Sequence, residues 1–172
     1  MKNLFSFILG FTLFISPTNL LSNTYLMDPM PNHEQAPSFN LVGLDHKMHS
    51  LEEYNGKFLL VNFWATWCHP CKVEMPTLEM AFKSIDHKNF SVIGIHVGPD
   101  ESNINEYLKL NPVSFPILID MDLEMNWGVP GLPTTYLIGP KGEMLYRVVG
   151  KRDFSNPDMI NFLKNIFENY KY

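Results

Sequence analysis

The pair Cys68 and Cys71 is the feature that most constrains the fold of this chain, because these are its only cysteines and just two residues separate them. A nearly unbroken apolar run over residues 58–64 comes shortly before them. Such a run is typical of a central strand that is buried on both faces of a parallel sheet. A C-x-x-C motif between a buried strand and a helix favours a redox-active dithiol in an α/β domain.

The helix after Cys68 is predicted from apolar residues that recur at spacings of three and four. Pro76 lies inside this run and is expected to kink the helix, because proline has no backbone N–H to donate. The strand and this helix therefore form the centre of the predicted fold. The apolar positions are Val73, Met75, Leu78, Ala81, Phe82 and Ile85.

The remaining elements alternate between strands and helices. Their order predicts an α/β fold with a mixed central sheet flanked by helices, an N-terminal hairpin and a helix–strand insertion in the centre. The C-terminal helix is expected to begin with a weakened capping box of Ser155 and Asp158. The predicted elements are a hairpin over 38–51, strands over 90–97 and 115–119, helices over 101–110 and 155–170, a helical turn over 122–127 and a hairpin over 134–149.

The N-terminus has the pattern of an export signal. Residues 4–15 are uncharged and mostly apolar, and they follow Lys2. This run is too short for an ordinary membrane span and matches the apolar core of a signal peptide. We interpret residues 1–22 as a signal peptide or membrane anchor, 23–35 as a polar, Pro-rich linker and 36–172 as the folded domain. The chain is thus expected in the periplasm or cell envelope, tethered to the inner membrane if the segment is not cleaved.

The charge and the metal-ligand pattern exclude several function classes. The net charge is −5, from 13 basic and 18 acidic residues, and binding of nucleic acid needs a positive face. Zinc would need two more ligands at close spacing, so we expect no metal and no cofactor. One copper-like pattern remains open, since Met27, Met30 and His33 offer soft ligands at even spacing.

The motif itself assigns roles to four neighbouring residues. Cys68 falls at a helix N-terminus, where free N–H groups and the helix dipole favour the thiolate that attacks a disulfide. Cys71 lies one turn later and can resolve the mixed disulfide. Pro70 is tolerated in the first turn. A protonated His69 would stabilise the thiolate and make the disulfide more oxidising; the alternative is an exposed histidine with little effect.

Two further segments are expected to contact a substrate. Leu132–Pro133 precedes a predicted strand, and we expect a cis bond there. The backbone of Leu132 could then pair with a substrate chain by strand addition. Trp64 is expected to pack in the core at the strand end, whereas Trp67 is expected beside the sulfurs as part of an apolar contact surface.

Residues 60–76, together with 36–39, the segment after Phe90 and 131–138, resemble the thioredoxin-like family of TlpA, ResA and CcmG (also called DsbE). The resemblance implies a thioredoxin-like fold from about residue 36 to the C-terminus. It also implies a reductant of protein disulfides, with apocytochrome c or its assembly factors as substrates and a membrane thiol-reducing partner as electron donor. The family's cis-proline falls on Pro133 and its helix-kinking proline on Pro76.

Three positions refine this resemblance. Asn62 stands where thioredoxins carry a buried aspartate, and an amide cannot take a proton. Glu74 matches an acidic position of ResA-like members, and we expect it to tune the Cys71 thiol or accept its proton; the alternative is a solvated helix glutamate. Thr134 stands where CcmG-type members often have glutamate, which favours a TlpA- or ResA-like chain.

Two other functions stay open on the sequence alone. The thiols and the Met/His arm could belong to a copper chaperone, a binding protein rather than an enzyme. The same fold also serves oxidases or isomerases of exported proteins, which differ from reductants in reduction potential.

Overall fold

The computed structural model describes residues 26–171 and contains one six-stranded sheet and one two-stranded sheet in that part of the chain. The larger sheet has the order β1-β8-β7-β4-β5-β6, and β2 and β3 form the predicted N-terminal hairpin. The strands are β1 (Asp28–Pro29), β2 (Asn40–Val42), β3 (Met48–Ser50), β4 (Phe58–Trp64), β5 (Phe90–Val97), β6 (Ile117–Asp120), β7 (Thr134–Ile138) and β8 (Met144–Val149).

The sheet is mixed, as the order of elements predicts. Strand β4 lies at its centre, parallel to β5 and antiparallel to β7. Strand β6 runs parallel to β5, while β8 runs antiparallel to β7. The carboxyl ends of the parallel strands β4, β5 and β6 therefore share one edge, and the motif follows directly from the end of β4.

Helices cover the sheet, and each face carries its own apolar core. The helices are α1 (His69–Ser84), α2 (Glu101–Leu110), α3 (Leu123–Asn126) and α4 (Pro157–Asn169), and a 3-10 helix spans Leu51–Tyr54. Along β4, Phe58 and Leu60 join the core that α1 and α4 cover, whereas Leu59 and Val61 join the core on the opposite face. Burial on both faces explains why β4 is apolar almost throughout.

Helix α1 continues through Pro76. Proline cannot donate to the carbonyl four residues earlier, which is that of Lys72. The hydroxyl of Tyr107 on α2 donates to this carbonyl instead, at 2.8 Å. Helix α2 of the central insertion thus supplies a donor for the α1 carbonyl that Pro76 leaves without a backbone partner.

Two predictions about the helices need correction. Helix α4 begins with Asn156 as its N-cap, whose side chain accepts the Asp158 N–H at 2.8 Å, and Pro157 takes the first helical position. The hydroxyl of Ser155 bonds to Asp153, so it does not cap the helix. In α1, Val73 is exposed rather than buried, because it lies off the stripe formed by the buried residues of the helix.

Residues 26–35 also differ from the linker that the sequence predicts. Met27 is completely buried in the core under α1 and α4. Strand β1 pairs with the outer edge of β8, and Gln35 forms a bridge to Glu143. This segment covers a strand edge and buries a large apolar side chain, so the folded domain includes residues before Ala36. The predicted signal segment lies outside the described residues.

Every helix within residues 26–171 is too short or too polar to cross a membrane.

Candidate functional site

The two cysteines lie where β4 passes into α1. Cys68 is the N-cap of the helix, and its Sγ accepts the backbone N–H of Cys71 at 3.3 Å. The two sulfurs form a disulfide in this structure. Cys68 retains 6% of its surface exposed and Cys71 1%. Cys68 is therefore the more exposed of the two cysteines.

The side chains around Cys68 form an exposed rim. Trp67 is 70% exposed, and His69 and Pro70 are exposed as well. Trp64, in contrast, is completely buried at the end of β4, as predicted. An open groove runs from Trp67 toward α2 and its Leu110. An aromatic surface of this kind suits contact with a polypeptide partner.

Glu74 is a buried residue, so the alternative of a solvated glutamate is wrong. Its Oε1 accepts the amide of Asn62 on β4 at 2.9 Å, and its Oε2 accepts the backbone N–H of Arg152 at 2.6 Å. The hydroxyl of Thr135 on β7 lies 3.5 Å from Oε1. Burial raises the pKa of Glu74 to about 7, against the lowering effect of these hydrogen bonds. Glu74 lies one helical turn after Cys71 on the same face.

The peptide bond between Leu132 and Pro133 is cis, as the sequence predicts. The pairing of Phe63 with Thr134 brings this loop alongside the end of β4 that leads to Cys68. Pro133 offers its carbonyl to Gly150. No backbone hydrogen bond within residues 26–171 involves Leu132.

A group of residues at the end of β5 and on α2 also contacts the motif, and the sequence pattern alone predicts no role for them. Thr66 donates its backbone N–H to His96 and its hydroxyl to Asp100. Tyr107 bonds to the carbonyl of Lys72 within α1. A signal did exist for His96, since it stands at the carboxyl end of a strand parallel to β4, and such ends meet at one edge of a sheet.

The copper-ligand pattern does not persist in the folded domain. Met27 is buried in the core under α1 and α4, whereas Met30 packs against the core on the opposite face of the sheet. Among the described residues, no group of three or more His, Cys, Asp or Glu side chains is arranged to hold a metal ion.

Comparison with known proteins assigns the family. The model of the AhpC/TSA family matches residues 33–147. The thiol-disulfide oxidoreductase ResA of Bacillus subtilis is 33% identical over 132 residues, covering 75% of this chain and 74% of the relative. The ResA protein of Geobacillus thermodenitrificans is 35% identical over 117 residues, 67% of each chain. The chain belongs to the AhpC/TSA family, among the ResA-like thiol–disulfide oxidoreductases.

A solved structure agrees with this assignment. The crystal structure of a thiol:disulfide interchange protein of the thioredoxin family from Chlorobium tepidum is 29% identical, with a TM-score of 0.65 over 74% of this chain and 94% of its own. The fold is thioredoxin-like, as the resemblance implied. The protein is a thiol–disulfide oxidoreductase whose reactive pair is Cys68 and Cys71.

Proposed function

We propose that this protein is a reductant of protein disulfides in the cell envelope. The Cys68 thiolate attacks one sulfur of a substrate disulfide, forming a mixed disulfide and releasing the other substrate sulfur, which takes up a proton. The Cys71 thiolate then attacks Cys68 and releases the second substrate thiol. Two electrons pass to the substrate, and the enzyme leaves as the disulfide. A membrane thiol-reducing donor returns the dithiol.

The observation that carries the direction is the buried carboxyl of Glu74. A negative charge one helical turn from Cys71 disfavours the thiolate of that cysteine. Strong oxidants of this fold owe their potential to a stabilised reduced form. A charge that destabilises the ionised dithiol has the opposite effect and lowers the reduction potential. The disulfide form is then favoured, as it is in a reductant. With a pKa of about 7, Glu74 also suits acceptance of the proton that Cys71 must lose before it attacks.

Substrate contact is proposed for the exposed rim and the cis-proline loop. Trp67, His69 and Pro70 give an accessible surface around Cys68. The free backbone groups of Leu132 support pairing with an extended segment on one side of the substrate cysteine, with Pro133 shaping the loop. Main-chain hydrogen bonds do not depend on which side chains the substrate carries. Pairing of this kind therefore suits an unfolded substrate such as an apocytochrome.

The envelope location rests on the N-terminal segment. Its positive start and apolar run support export, and retention of the segment would tether the domain to the inner membrane. A cytochrome c maturation role is the class of task that the resemblance implies. The envelope is also where a dithiol reductant needs a membrane donor, because the periplasm is kept oxidising.

The reduction potential tests this proposal against the oxidase or isomerase alternative. Equilibration of the purified domain with a dithiol buffer should give a value near that of thioredoxin, about −270 mV. A value near about −120 mV, that of a strong oxidant, would replace the reductant with an oxidase. Glu74→Gln should move the potential upward, since it removes the charge near Cys71. The substrate is then identified by mixed disulfides trapped with Cys71→Ser in envelope fractions.

A further inference from the structure

The loop between β4 and Cys68 is held from the side by the end of β5 and the start of α2. The backbone N–H of Thr66 donates to Nε2 of His96 at 3.0 Å. The hydroxyl of the same threonine donates to Asp100 at 2.7 Å. Cys68 lies two residues further on, with its N–H donating to the carbonyl of Ala65. The position of the reactive cysteine thus depends on how Thr66 is held.

The contacts of His96 fix its protonation state. Nε2 accepts an N–H from Thr66, so this nitrogen carries a lone pair and no proton. Nδ1 lies 2.9 Å from the carbonyl oxygen of Gly98 and must therefore carry the proton and donate it. Both hydrogen bonds are satisfied only by the neutral ring in this one tautomer.

The surroundings of His96 keep the ring neutral. The side chain is completely buried, and the ring of Trp64 on β4 stands perpendicular to it at 5.1 Å between centroids. On β6 the paired residue is the apolar Ile119. Asp100 is the ionisable group that faces it and favours the charged form, but burial outweighs this effect and lowers the pKa of His96 below its usual 6.5.

Protonation of the ring would reverse one of its contacts. Nε2 would become a donor and would face the donating N–H of Thr66, so that hydrogen bond would be lost. An acceptor for the new proton is the hydroxyl oxygen of the same threonine, which lies 3.4 Å from Nε2. The loop would have to move to shorten this contact to an ordinary hydrogen-bond distance, and the loop leads directly into Trp67 and Cys68.

We propose that His96 is a positioning residue for thiol–disulfide exchange, whose neutral ring holds Thr66 so that Cys68 stays at the N-terminus of α1. Loss of this contact moves the sulfur away from the N–H groups that stabilise its thiolate. The thiol pKa then rises and the thiol reacts more slowly at neutral pH. The inference rests on the exchange chemistry of Cys68 and not on the direction of electron flow.

Two substitutions separate the roles of the ring nitrogens. His96→Asn keeps a polar group near the place of Nδ1 and removes the acceptor for Thr66. His96→Gln carries an acceptor at about the reach of Nε2 and does not titrate. His87→Asn is the matched control, because His87 is exposed on the loop between α1 and β5, at the opposite end of these elements.

The measurement is the rate of iodoacetamide alkylation of Cys68 across pH, in full chains that also carry Cys71→Ser. His96→Asn should slow alkylation at neutral pH roughly fivefold, the factor that one lost hydrogen bond implies, and should shift the thiol pKa upward. His96→Gln should stay within about twofold of the parent and lose the parent's inflection below about pH 6.5. An unchanged profile in His96→Asn, equal to that of His87→Asn, would overturn the proposal.

A second readout in the unsubstituted domain covers the case in which His96→Asn does not fold. The amide resonance of Thr66 should shift with acidification, with the same midpoint as the ring of His96. If the chemical shift of the Thr66 amide does not change while His96 titrates, the proposal is also overturned. Neither measurement uses a substrate or a potential, so an oxidising potential would contradict the proposed function and leave this inference unaffected.

Discussion

Asn62 on β4 donates its amide to Oε1 of Glu74 on α1 across 2.9 Å, and this contact joins the central strand to the helix of the cysteines. The same amide donates to Thr135 on β7, also at 2.9 Å. Arg152 supplies a backbone N–H from the loop before α4. Donors from several elements thus hold a carboxyl group in a largely apolar core. Whether this carboxyl carries a proton affects the free energy of unfolding and, in the proposed function, the ionisation of Cys71.

The first prediction concerns the pH dependence of stability. The pKa of Glu74 is about 7 in the folded chain, against an ordinary value of 4.5. Between these values the folded chain keeps a proton that the unfolded chain has released, so the free energy of unfolding falls as pH rises. Glu74→Gln cannot ionise. Between about pH 5 and about pH 8, the free energy of unfolding should therefore fall less in the variant than in the parent. The difference between the two falls should be up to about 3 kcal/mol.

Urea unfolding at a series of pH values measures this difference. Glutamine offers one oxygen to the two donors that Asn62 and Arg152 present, so the variant also carries a constant loss that does not depend on pH. The slope with pH is thus the readout, and the exposed Glu168→Gln serves as control with the slope of the parent. Parallel curves for Glu74→Gln and the parent would show that the buried carboxyl does not titrate in this range.

The second prediction tests the packing of the segment before Ala36. Met27 is completely buried, whereas Met48 on β3 is 53% exposed. Met27→Ala should lower the free energy of unfolding by about 2–5 kcal/mol, as truncation of a buried methionine does. Met48→Ala should change it by less than about 0.5 kcal/mol. If Met27→Ala and Met48→Ala lower the free energy of unfolding by the same small amount, residues 26–35 do not pack on the domain and are a linker.

The third prediction concerns substrate contact by Trp67. Trp67→Ala should lower kcat/KM for a protein disulfide substrate roughly fivefold or more through KM, as loss of an aromatic anchor does. Its melting temperature should stay unchanged because the side chain is mostly exposed. Met80→Ala, which is exposed further along α1, should leave both quantities unchanged. An unchanged KM in Trp67→Ala would show that the indole does not contribute to substrate binding.

The fourth prediction concerns the free carbonyl of Lys72. Tyr107→Phe removes the hydroxyl that donates to it and should cost about 1 kcal/mol in the free energy of unfolding. Pro76→Ala restores the backbone N–H that a regular helix directs at this carbonyl. Tyr107→Phe should therefore cost less in the Pro76→Ala background, and a double-mutant cycle measures the coupling. Additive effects would contradict the proposed compensation.

Much of the fold could be predicted because local pattern and tertiary environment agree. Strands β4 and β5 and helix α2 have the predicted bounds, and β7 and β8 form the predicted hairpin over 134–149. Strands β4 and β5 are mostly apolar, and turn residues border both of them. The cis bond at Leu132–Pro133 was likewise predicted from its place before a strand.

The errors arise where long-range pairing or competing caps decide the outcome. The arm around Met27 is polar and Pro-rich, so its sequence indicates a linker, and the residues of β8 with which it pairs are 117 and 119 positions further along the chain. Asn156 outcompetes Ser155 as a helix cap because Pro157 fixes the first helical position. The contacts of His96 could not be predicted because Thr66 and Gly98 bind it through backbone groups, which are the same in every residue.

The central claim is that Cys68 attacks and Cys71 resolves, and exchange with a labelled protein disulfide tests it most directly. Cys68→Ser should abolish turnover and form no mixed disulfide. Cys71→Ser should stop after one step and accumulate a mixed disulfide through Cys68, which a reducing agent releases. A Cys68→Ser protein that still turned over, or mixed disulfides held through Cys71 in that variant, would contradict the account.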